Sequence, residues 1–113
     1  MPHERVFASD LVGAAKQCNA PSVVLADGKP TTATMQDVND GGWCAITLQR
    51  DGKPYSAGLL TGPPAHGTVF IHPVGDVTRI DYAPDRGFVG SDSFVVRLIP
   101  GDPELRVTVT VTR

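Results

Sequence analysis

Between Leu105 and Thr112 the chain alternates without a break: Leu105, Val107, Val109 and Val111 fall on one parity, and Arg106, Thr108, Thr110 and Thr112 on the other. A period of two is what a strand with one face on a core requires, because successive side chains point to opposite faces. A helix would need apolar positions every three to four residues. The β-branched content of the run adds to the same reading.

The pattern repeats upstream. Ser93 to Ile99 is a second strand with Phe94, Val96 and Leu98 inward, joined to the last through Pro100-Gly101-Asp102-Pro103. Neither proline can donate to a ladder, so this segment is a hairpin turn. Thr78 to Tyr82 alternates with Ile80 and Tyr82 inward, and Gly67 to His72 reaches it through Pro73-Val74-Gly75-Asp76. Cys44, Ile46 and Leu48 share one face of a further strand, followed by a tight turn at Asp51-Gly52 and an extended path from Tyr55 to Leu60. Ser22 to Ala26 and Thr31 to Gln36 read as short strands about Asp27-Gly28, and Asp37 to Gly42 as a polar loop. Ser9 to Cys18 fits either one or two helical turns or an irregular strand.

Seven or eight short strands in 113 residues predict one all-β domain over 1–113, with an irregular N-terminal part over 1–42. The expected architecture is an immunoglobulin-like β-sandwich of antiparallel strands with Greek-key connections. The 12 glycines and 10 prolines suit it, since turns use these residues and helix interiors do not.

A net charge of −2 without a basic cluster argues against nucleic acid as a partner. No apolar run approaches the roughly 20 residues of a membrane-spanning helix, so no membrane insertion is expected. Met1 to Arg5 is polar and leads into no apolar stretch, unlike a secretory leader. Cys18 and Cys44 are too far apart for a CxxC motif. They read either as a disulfide, which implies an oxidising compartment, or as two buried thiols.

The stretch Pro64-Ala65-His66-Gly67-Thr68-Val69, then Tyr82-Ala83-Pro84, then Gly87-Phe88-Val89-Gly90-Ser91-Asp92-Ser93-Phe94 and a closing Val-Thr alternation resembles the bacterial immunoglobulin-like, or cadherin-like, tandem-repeat domains over residues 63–112. The resemblance implies a secreted, periplasmic or cell-surface setting. Each matched residue has a structural role available: Pro84 ends a strand, Gly87 and Gly90 permit positive φ, Phe88 and Phe94 fill a core, and Asp92 caps a loop through backbone N–H groups. The N-terminal region with Cys18 and Cys44 lies outside the repeat pattern.

Candidate chemistry is sparse. His66 falls in the turn motif and His72 at an exposed strand end before a proline, so no metal site is expected from either. Asp81, Asp85, Asp92 and Asp102 are scattered rather than clustered as calcium ligands. Neither a Gly-x-Ser-x-Gly elbow nor a His-Glu-x-x-His motif occurs, and no catalytic residue or cofactor is assigned. Trp43 and Tyr55 could form a stacking platform for a sugar if both face solvent; alternatively, Trp43 packs beneath the N-terminal segment.

The expectation is therefore a non-enzymatic protein-binding or assembly module of a bacterial periplasmic or extracellular protein. Its alternative is a carbohydrate-binding module using Trp43 and Tyr55. The partner would be another protein, or a second copy through an edge strand. The last strand must be either central in its sheet or such an edge, because it carries no proline and only Arg106 as an outward charge.

Overall fold

The computed structural model describes residues 13–113. Its elements are β1 (Cys18–Asn19), β2 (Pro30–Val38), β3 (Cys44–Leu48), β4 (Ala57–Gly62), β5 (Gly67–Val74), β6 (Val77–Pro84), β7 (Gly90–Ile99) and β8 (Glu104–Thr112), with no helix among the described residues. They form a five-stranded sheet in the order β1-β2-β8-β7-β4 and a three-stranded sheet in the order β3-β6-β5. The chain changes sheet at β2→β3, β3→β4, β4→β5 and β6→β7, while β5–β6 and β7–β8 are hairpins.

The alternating runs become the two inner faces. Leu105, Val107, Val109 and Val111 of β8, Phe94, Val96 and Leu98 of β7, Ile80 and Tyr82 of β6, and Cys44, Ile46 and Leu48 of β3 are all buried in one cluster. Each such side chain contributes roughly 1.5–3 kcal/mol by leaving water. β8 is central, flanked by β2 and β7, so its regular Val-Thr surface is not an edge and cannot serve strand addition.

Several expectations need correction. Not all pairing is antiparallel: β2 runs parallel to β8 from Pro30↔Glu104 to Val38↔Thr112. These strands come from opposite ends of the chain, so no local turn dictates their relative direction. Ser22 to Ala26 forms no strand, although Val23 and Leu25 pack on the core and Val24 is 92 % exposed; the side chains alternate, but the backbone finds no ladder. Asp37 and Val38 belong to β2 rather than to a loop.

The turn after β5 is only Gly75-Asp76, and Pro73 lies inside β5 opposite Thr78. An edge strand tolerates the missing N–H. Asp51 and Gly52 adopt φ of 55° and 74°, as a two-residue I′ turn demands, yet they carry the chain from one sheet towards the other. The possible helical turn over Ser9 to Cys18 falls partly outside the described residues; within them, Cys18 belongs to β1.

Candidate functional site

The disulfide is formed. Cys18 and Cys44 are bonded with their Cα atoms 5.3 Å apart. Cys18 lies in β1 of the larger sheet and Cys44 in β3 of the smaller, so the bond staples the two layers together. Closing a loop of this length contributes about 3 kcal/mol through the unfolded state.

Trp43 and Tyr55 do not come together. Trp43 precedes β3 at one end of the sandwich, whereas Tyr55 follows the turn at its other end. Tyr55 is only 7 % exposed and belongs to the core, with its N–H donating to Thr78 Oγ1 at 2.8 Å. Burial pushes its phenol pKa up. Trp43 is half-buried beside the N-terminal segment: its N–H donates to Gly13 O, and its carbonyl accepts from Ala15 N–H. The Arg79 guanidinium carbon lies 4.0 Å from its ring centroid. No stacking platform is assembled from the pair.

Arg79 instead begins a row of contacts on the sheet face turned away from the core. Its Nε and Nη2 donate to the two oxygens of Asp81 at 2.6 and 2.9 Å. His72 Nε2 lies 2.9 Å from Asp81 Oδ2, and Phe70 stacks on the His72 ring at 4.1 Å. His72 is thus not an exposed strand-end residue; its side chain is 10 % exposed, held in the pairing of β5 with β6. A carboxylate bound on both oxygens to its neighbours is structural. Among the described residues no three His, Cys, Asp or Glu side chains are arranged to hold a metal ion.

One end of the sandwich is tied by side chains that the repeat-like segment supplies. Asp92 Oδ1 accepts from Ala65 and Ser93 N–H, and its Oδ2 accepts from His66 N–H and the Tyr82 hydroxyl. Burial alone would raise its pKa, but these four donors outweigh burial and hold it below the usual carboxylate range. His66 stacks on Phe88 at 4.3 Å, and Asn39 Nδ2 donates to the carbonyls of Asp85 and Phe88.

Asp37 is the exception to this satisfaction. It is 1 % exposed, and among the described residues neither of its carboxyl oxygens has a hydrogen-bond partner. Desolvation, helped by the charge of Asp40, pushes its pKa up to about 6. The signal was present in the sequence: Ala33, Met35 and Asp37 share one parity, so a strand extended by two residues turns Asp37 onto the face of buried Met35.

β4 is an edge strand of the larger sheet. It pairs with β7 on one side only and carries no charge and no proline in Ala57-Gly58-Leu59-Leu60-Thr61-Gly62. Its single edge-blunting device is a bulge between Leu60 and Gly62. Leu59 is 51 % exposed, and Ile99 on the neighbouring strand is 43 % exposed. Of the other edges, β5 contains Pro73, the residue before β3 is bridged to Ala14, and β1 covers β2 only at Gln36 and Asp37, the unpaired part of β2 starting with Pro30. An uncharged apolar hexapeptide flanked by turns was legible as a strand, but not as an edge.

No family model matches the chain, and no curated protein matches it. Among solved structures it is similar to a cysteine protease inhibitor of Entamoeba histolytica, with 17 % identity, a TM-score of 0.41, and coverage of 80 % of this chain and 98 % of that one. A likeness at that level carries no functional argument.

Proposed function

We propose that the chain is a non-enzymatic protein-binding or assembly module, an immunoglobulin-like Greek-key sandwich of a bacterial periplasmic, secreted or cell-surface protein. The observation that carries this reading is the β4 edge: unpaired backbone on an uncharged, proline-free strand beside exposed Leu59 and Ile99. Monomers that bind nothing protect such edges, and β-strand addition uses them. The disulfide supports an oxidising compartment. The roles of Asp92, Phe88 and Phe94 support the tandem-repeat resemblance, because each performs the structural task that the motif requires. The sugar-binding alternative loses its premise with Tyr55 in the core.

Affinity isolation from envelope fractions tests the proposal, using the oxidised wild type beside Leu59→Lys. Lysine at an edge opposes strand addition without touching the core. A partner retained by the wild type and lost from the variant supports the reading. Retention of the same proteins by both, or of none by either, contradicts it.

A further inference from the structure

Asp37 and the disulfide meet at one side of the sandwich. Asp37 stands opposite Cys18 in the β1–β2 register and opposite Val111 in the β2–β8 register. Its side chain shares the inward face with Met35. The Cys18–Cys44 bond crosses from β1 to β3 and closes that side of the layers. β1 itself is a two-residue strap whose approach is held to β2 by one further backbone bond, from Val38 N–H to Gln17 O at 3.0 Å.

Among the described residues, the groups around Asp37 offer its charge no donor. From β6 comes the Tyr82 phenol, whose hydroxyl is already given to Asp92 and whose pKa is raised by burial and by that bond. From the loop after β2 comes Asp40, a like charge, itself occupied by the backbone N–H groups of Lys16 and Gly42. The Lys16 charge acts on Asp40. β8 and β3 contribute Val111 and bonded Cys44.

We propose that Asp37 and the disulfide-held strap β1 form an acid-favoured latch: protonated Asp37 lets the strap close on β2, and ionised Asp37 drives the strap to open and admit water. The reason is asymmetric cost. A buried carboxylate without a donor is far more expensive than a buried neutral carboxyl. The cheapest relief is local, because β1 has the fewest ladder partners in its sheet, while β7 and β8 are locked on both sides. The disulfide limits the motion to a hinge and prevents release of the segment.

The test is amide exchange on the oxidised protein at pH 5 and pH 8, expressed as protection factors, with the Asp37 carboxyl carbon followed by NMR. With the closed-state pKa near 6 and an open-state value of about 3.9, protection at Asn19 and Val38 should fall roughly tenfold between the two pH values. Amides of Val107 and Val109 in β8 should hold constant. Asp37→Asn, which keeps the shape and removes the charge, should make strap protection independent of pH. Titration of Asp37 near 4 would overturn the proposal. So would equal loss at β8 and at the strap, or an unchanged pH dependence in Asp37→Asn.

Discussion

Tyr82 on β6 donates its hydroxyl to Asp92 on β7 at 2.8 Å, so one hydrogen bond joins the two sheets at the end where the β4–β5 and β6–β7 loops meet. Tyr82→Phe keeps the ring and removes only the donor. It should cost about 1.5–3 kcal/mol, the usual worth of a bond to a charged acceptor. Asp92→Ala should cost more, because it also strands the N–H groups of Ala65, His66 and Ser93. Urea midpoints of the two variants check the order. The folded pKa of Asp92 is depressed, so its contribution is present above the unfolded value near 3.9 and is lost as the pH falls through the lower folded value.

Asp37 has the opposite sign. Its folded pKa is raised to about 6, so the fold holds a proton that the unfolded chain releases, and stability falls as the pH rises from about 4 to 6. Asp37→Asn removes this term. It should stabilise the protein by roughly 3 kcal/mol at pH 8, with the gain fading as the pH approaches 4. Thermal or urea unfolding of both proteins across that range measures it, and a destabilised Asp37→Asn at pH 8 would show that the carboxylate has a partner after all.

Phe94 is 1 % exposed and stacks with Tyr82 at a centroid distance of 5.8 Å. Phe94→Ala should cost about 3–5 kcal/mol, since the sheets cannot close over the missing ring. Thr110→Ala, on the solvent side of β8, should stay within about 0.5 kcal/mol. Equal shifts of the two urea midpoints would contradict the assigned facing.

The sequence was most informative where one residue in two had to be apolar. Period two set the facing of β3, β6, β7 and β8, and Asp92 was readable as a loop cap because its neighbours are turn residues. Relations between distant segments were not readable. The parallel pairing of β2 with β8 and the central place of β8 depend on which chain ends meet, which no local pattern encodes. Tyr55 looked available because it follows a turn, yet the change of sheet after Asp51-Gly52 carries it into the core. Arg79 and Asp81 occupy outward parity but satisfy each other with His72, so alternation alone misjudged their burial.

The claim that β4 is the binding edge is tested most directly by site-specific photocrosslinking in the native host. A photoreactive residue replaces Leu59 or Thr61 on β4 and, for comparison, Thr108 or Thr110 on the outer face of central β8. The account predicts a discrete adduct with another protein from the β4 positions and none from the β8 positions. Adducts from β8 alone, or none from any of the four, would contradict it.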